Sequence, residues 1–214
     1  MPPSRAALVD TEHSSPLGGE RLDLVSEQIL DAALDQFQLV GIRRASVEDV
    51  ARRAGVSRIT VYRRFPRKEV LVEAVAMREA RRLVAAVDAA TSAISGFANQ
   101  IVESFVVMLR LVREHPLVRQ LLAVEPDEML RTLTVRGGPV IAIGTTYVAD
   151  QIRLAQQAGE APPYDPEPVA EILARLTQSL LLTPDGVIPV DDEPAERDFA
   201  RAHLAPLIVR AQPE

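Results

Sequence analysis

Residues 54–69 read AGVSRITVYRRFPRKE. Four arginines and one lysine crowd this stretch, yet its apolar residues keep a helical rhythm, and a glycine, Gly55, stands near its start. The preceding run, SVEDVARRAG, supplies the other half of the pattern. Ser46 can cap a short helix, and Asp49 at the third position after it completes a capping box. Val47, Val50 and Ala54 then face inward while Arg52 and Arg53 point elsewhere. Gly55 ends this helix and Ser57 opens the next. Two short helices joined by so tight a turn have the spacing of a helix-turn-helix.

In the second helix, Ser57 to about Phe65, the pattern predicts Ile59 and Phe65 on the core side, with Val61 packing near the turn. Arg58, Thr60, Tyr62 and Arg63 are then free to face outward. A helix of this kind can enter the major groove of duplex DNA, where Arg bonds guanine edges and hydroxyls bond phosphates or bases. Lys68, opening the following helix, adds a further cation. Charge is distributed to match. The chain carries a net −6, but residues 41–68 hold nine Lys or Arg against two acids, so this segment is +7 and the remainder −13. Such asymmetry points to a polyanion partner for one segment only, because these cations repel one another until an anion joins them.

Working outward, almost everything reads as helix, so the predicted fold class is all-α. A run over 22–39 places Ile29, Ala33 and Phe37 on one stripe, with Gly41 positioned to close it in a left-handed conformation. A long helix is expected from Lys68 to about Ala90. The next runs to Pro116 and repeats Phe97, Ile101, Phe105, Met108 and Val112. Shorter pieces fill 117–135, and a further helix spans 139–158. After a Pro-rich connector, residues 167–182 put Val169, Ile172, Leu173, Leu176 and Leu180 on one face and leave Ala170, Ala174 and Leu181 on another. A last helix covers about 194–209, bent or shortened by Pro206. The N-terminal residues 1–20, rich in Pro, Ser and Gly, read as a disordered extension.

Residues 22–75 closely resemble the N-terminal domain of the TetR family of transcriptional regulators, continuously and with several spaced motifs in the family's order. The remainder is similar in being all-helical and of suitable length. The resemblance implies a helix-turn-helix DNA-binding domain over 21–67 and a helical ligand-binding and dimerisation domain over 68–214. Position by position, Ser46 matches the hydroxyl residue opening the family's second helix. Ser57 and Arg58 begin its recognition helix, and Thr60, Tyr62 and Lys68 match its hydroxyl, tyrosine and lysine positions. With Arg44 and Arg63, these form the candidate DNA-binding set. Three departures stand out. Ile59 replaces a residue that is frequently small, Arg63 and Arg64 stand where Tyr or His is common, and Arg67 replaces a frequent Ser or Asn cap.

The family also implies a ligand pocket among the central helices. Phe97, Phe105, Met108, Leu109, Tyr147 and Gln151 are the candidate lining, and Tyr147 and Gln151, one turn apart, are its candidate polar anchors. Other chemistry is sparse. The absence of cysteine excludes disulfides, thiolate catalysis and sulfur-ligated metal. His13, His115 and His203 lack the spacing of a helical zinc site and read as structural or surface residues. Asp191/Asp192 and Glu125/Asp127 read as solvated loop charge. No catalytic residue, metal or cofactor is expected, and no run is apolar enough to span a bilayer, so a cytoplasmic location follows.

The reading that unites these features is a regulator, foremost a repressor, that binds an inverted-repeat operator in double-stranded DNA. It acts as a homodimer through its last two long helices, whose second apolar face calls for a partner. A small, largely apolar effector releases it, and only the long helix beginning at Lys68 connects the two functions. An activator, or an all-helical carrier or enzyme with an incidental basic hairpin, stands as the alternative.

Overall fold

The structure, a computed structural model, describes residues 24–209. The expected extension over 1–20, the first residues of the 21–67 unit and His13 lie outside the described residues. Within them every regular element is helical: α1 (Leu24–Arg44), α2 (Val47–Arg53), α3 (Arg58–Arg64), α4 (Lys68–Thr91), α5 (Phe97–Glu114), α6 (Pro116–Val124), α7 (Pro126–Leu133), α8 (Gly138–Gln157), α9 (Glu167–Leu182) and α10 (Glu193–Phe199). A π-helical turn, Ala200–Leu204, then leads into α11 (Ala205–Val209). That widened turn ends two residues before Pro206. It lies where the proline ring would press on the carbonyl four residues back, so the helix loosens there instead of ending.

The boundaries follow local chemistry. Ser46 caps α2 and Ser57 caps α3, each accepting a hydrogen bond from the backbone three residues on. Arg67 precedes α4 without a side-chain cap. Pro116 opens α6 and Pro126 opens α7, positions where a missing N–H costs nothing. Gly41 breaks α1 with φ +84° and ψ 165°, backbone that is essentially glycine-only, and the last turn of that helix is redirected there.

Helices α1 to α4 share a core made of Ile29, Leu30, Phe37, Val50, Val61, Phe65, Leu71 and Val75. The core does not stop at the first four helices. Leu117 and Leu121 of α6 and Met129 of α7 are buried in the same cluster, with Leu181 and Leu182 of α9 packed against it. Lys68 and its helix are therefore not the only link between the two parts of the chain. Helices α6 and α7 form a second one, because α1 has an apolar stripe wider than α2, α3 and α4 cover. Burying each such side chain contributes roughly 1.5–3 kcal/mol. The ion pairs of Arg43 with Asp127 (3.1 Å) and Glu128 (3.7 Å), half exposed, contribute at most about 1 kcal/mol each. Apolar contact holds this junction.

Two expectations are corrected. Glu125 is not solvated loop charge: it is buried, and its carboxylate accepts from the Arg43 backbone N–H at 3.1 and 3.3 Å. Leaving the Gly41 turn, that N–H has no helical carbonyl to meet, and the carboxylate takes that place. The segment over 193–209, expected to be bent by Pro206, packs along α5. Arg110, Arg113 and Arg197 pair with Glu193, Glu196 and Glu103, clamping it to α5, and Ala200, Leu204 and Ala205 fill a core with Val102, Phe105 and Leu109. Second, the α9 face of Ala170, Ala174 and Leu181 is largely covered within the chain itself. Ala170 is fully buried, Ala174 faces Gly144 of α8, and Leu181 joins the first core. Ile172, assigned inward, is 56% exposed.

Gly41 tests the junction. A Cβ there would lie 2.7 Å from Glu125 Cδ in a backbone conformation other residues avoid. Gly41→Ala is expected to lower urea-unfolding stability by about 2–4 kcal/mol. Gly55→Ala, at φ +66° with open space around it, is expected to lose only about 1–2 kcal/mol.

Candidate nucleic-acid interface and cavity

The outward face of α3 is built by a two-point fixing of a seven-residue helix. Ser57 Oγ accepts from Thr60 N–H at 3.1 Å and lies 2.9 Å from Thr60 Oγ1, which orients both hydroxyls at the helix start. Val61 and Phe65 are buried and set the helix's roll. Arg58, Ile59, Tyr62 and Arg63 are thereby exposed. Ile59 contradicts the sequence expectation. It is 79% exposed, because Val61 and Phe65, four residues apart, already define the buried line and Ile59 falls off it.

The cationic cluster does not stand unpaired. Arg58 pairs with Glu48, Arg52 with Asp49, and Arg53 with Asp35 at 3.4 Å. Arg64 donates to Ser26 Oγ at 3.2 Å. Ser46 donates to Asp49, and that bond together with Arg52 holds the Asp49 carboxyl below its usual range. The side chains of Arg44, Arg63 and Arg67 have no hydrogen-bond or ion-pair partner among the described residues. Lys68 is turned toward the domain junction and donates to the Arg43 carbonyl at 3.1 Å. Burial lowers its ammonium pKa against the opposing pull of Glu125, Glu128 and Glu69. Thus the structure brings Ser57, Arg58, Thr60, Tyr62 and Arg63 together on one helix. Ser46 lies at the α2 cap, Arg44 at the end of α1, and Lys68 at the base of α4.

Below this head lies a cavity of about 260 Å³, enclosed by α4, α5, α8 and α9 and floored by α6 and α7. Of the expected lining, Phe97, Phe105, Met108, Tyr147 and Gln151 face it. Leu109 does not; it packs beneath the 193–209 segment instead. Most of the remaining wall is aliphatic. Tyr147 and Gln151 both turn to Asp88 of α4, donating to Oδ1 at 3.5 and 3.3 Å. Burial, reinforced by the Asp88 carboxylate, pushes the Tyr147 phenol up to about 12, so it stays a donor.

The sequence reading missed Glu79 and His115, which also line the cavity. His115 Nε2 meets Glu79 Oε2 at 3.3 Å, and Arg78 and Arg82 bond Glu79 Oε1 at 3.1 and 3.0 Å. Burial alone would raise the Glu79 pKa, but the His115 bond and the two guanidinium charges outweigh it and leave it lowered. The His-Pro dipeptide looked like a simple helix break, and nothing local signals that its ring turns inward. His203 packs against Phe199 with the rings tilted and their centroids 5.1 Å apart. Among the described residues no group of His, Cys, Asp or Glu could hold a metal ion, and no helix is long and apolar enough to cross a membrane.

A helix-turn-helix with an exposed second helix, joined to a helical body around an apolar cavity, defines a DNA-binding type of architecture. Comparison with known proteins agrees. Residues 29–75 match the family model of tetR-family bacterial regulatory proteins, and residues 97–203 match that of the bacterial tetracyclin repressor C-terminal domain. The chain belongs to the TetR family and is a DNA-binding transcriptional regulator. An HTH-type transcriptional regulator of Mycobacterium tuberculosis strain H37Rv is 26% identical over 195 residues, 91% of each chain. The regulator AlkX of the same strain is 28% identical over 180 residues, 83% of this chain and 82% of its own. The fold resembles the AlkX repressor of Dietzia sp. strain DQ12-45-1b (TM-score 0.67, 21% identity, 90% of this chain and 100% of that one). It also resembles the QsdR repressor of R. erythropolis (TM-score 0.67, 22% identity, 90% and 99%).

The Arg58–Glu48 pair is exposed on both sides, so it contributes at most about 1 kcal/mol. Glu48→Gln is therefore expected to leave unfolding stability within about 1 kcal/mol of the parent. Freed of a carboxylate beside the reading face, the variant should bind duplex DNA several-fold more tightly in fluorescence anisotropy at fixed salt.

Proposed function

We propose that the chain is a repressor that binds an inverted-repeat operator as a homodimer and is released by a small, largely apolar effector. Two working parts meet near Lys68. Residues 21–67 read DNA, and residues 68–214 hold the effector and the partner subunit. The observation that carries this reading is the exposed α3 face, Ser57, Arg58, Thr60, Tyr62 and Arg63, held rigidly above an apolar cavity.

The energies favour DNA over the internal partners of the cluster. A bidentate Arg–guanine contact discriminates by about 1–3 kcal/mol, more than an exposed ion pair contributes. Arg63, having no partner among the described residues, is assigned to base reading. Arg44 and the hydroxyls of Ser46 and Tyr62 suit phosphate contacts. Lys68 acts first on the junction, through Arg43, and only secondarily on DNA.

Dimerisation is assigned to α8 and α9. Their outer groove is lined by Ala142, Thr145, Thr146 and Ala149, small enough for close helix approach, with Arg153, Glu167, Glu171 and Arg175 along one side. Leu154 (58% exposed) and Ile172 lie beside it. A two-fold partner there would set two α3 helices about one DNA turn apart, ~34 Å or more. Release needs an effector that prefers the conformation with those helices spread. An effector swelling the cavity presses on α4 and also on the α6–α7 floor, whose Leu117, Leu121 and Met129 touch α1's core.

Selection of bound duplexes from a random pool is the test. The expected product is a two-fold symmetric motif, and an asymmetric motif or no enrichment would contradict the proposal. On the selected site, Arg63→Ala should relax preference at one base position per half-site, costing roughly 1–3 kcal/mol there and little on non-specific DNA.

A further inference from the structure

The outward face of α3 carries an apolar side chain that folding does not use. At about 100° of helix per residue, Arg63 falls opposite the buried line of Val61 and Phe65, and Ile59 lies between Arg63 and Tyr62. Ile59 is 79% exposed and belongs to none of the buried clusters among the described residues. Its branched side chain does not favour a helix either. Arg58 directly precedes it, and Arg63 follows one turn later on the same face. Positive charge on both sides suits a polyanion and disfavours an apolar protein groove. An aliphatic side chain has nothing to offer a phosphate, so its target in that polyanion is a base.

We propose that Ile59 is a specificity-determining residue, packing on the C5 methyl of a thymine close to the base that Arg63 reads. The inference rests on α3 being the helix that enters the major groove. Among the base edges exposed there, thymine alone offers an apolar group. Cytosine presents an amino donor, and the purines present N7 acceptors, which an aliphatic side chain can only strip of water. Ile59 therefore selects thymine both by contact and by penalising the other bases. The family more often has a small residue at this position, so the contact is particular to this chain. One helical turn separates Ile59 from Arg63, about 5.4 Å, and a base step is about 3.4 Å. The thymine lies within about two base pairs of the Arg63 target.

The test uses the full chain and the duplex selected from the random pool. Each thymine of one half-site, on either strand, is replaced in turn by deoxyuridine, which keeps every hydrogen-bonding group and loses only the methyl. Fluorescence anisotropy is expected to show about fourfold weaker binding at one thymine, the loss of one buried methyl. That thymine should lie within about two base pairs of the position whose preference relaxes in Arg63→Ala. In Ile59→Ser, the thymine and deoxyuridine duplexes should bind equally. Should that variant not fold, the parent alone decides, through the presence and position of the sensitive thymine. No sensitive thymine in the parent, one farther away, or the same loss in Ile59→Ser would each overturn the proposal. If the pool yields no enriched duplex, the DNA-reading function itself fails and the Ile59 assignment fails with it. An enriched duplex without the methyl effect removes the Ile59 assignment alone.

Discussion

The rest of the structure depends on α1 having one apolar stripe and two sets of neighbours. Phe37, Ile29 and Leu30 anchor α2 to α4, and the same cluster takes in Leu117, Leu121 and Met129 from helices α6 and α7. An element shared in this way cannot move with one set while ignoring the other, since packed interiors shift between discrete arrangements. The backbone turn at Gly41 and the buried Glu125 carboxylate sharpen the join, because they fix where α1 stops against α7. The cavity floored by those helices is also lined by Phe37 and Ile42 of α1 itself.

On the reading side, the strong positive charge of residues 41–68 is tempered by acids of the same protein. Glu48, Asp49, Asp35 and Asp127 each hold an arginine in the free chain. Pairs this exposed exchange readily for phosphates and base edges. They hold the cluster together in the free chain, and Arg63 stands exposed on α3 outside these pairs. The exposed Ile59 adds an apolar surface beside it, suited to a thymine methyl more than to a phosphate.

Much of this was legible in sequence where the cause is local. The caps at Ser46 and Ser57, the break at Gly41, the start of α4 at Lys68 and the break at Pro116 all depend on a few neighbouring residues. The departures arise where distant chain decides. Ile59 was misplaced because two residues of a short helix suffice to set its roll. Glu125 looked like loop charge because its partner lies 82 residues away. Leu109 left the cavity wall because the 193–209 segment folds back over it. His115 was overlooked because a ring before a proline gives no hint of which way it turns. The α9 face expected to need a partner is covered by α8 and the first core, so the dimer proposed through these same two helices rests on their outer groove instead.

The shared core is the central claim, and native-state hydrogen exchange across a denaturant series tests it most directly. The expected result is that amides of Ile29–Phe37 in α1 and Leu117–Leu121 in α6 open with one free energy and one denaturant dependence, as a single cooperative unit. Exchange of the α6 amides through a separate, lower-energy opening that leaves α1 protected would contradict it.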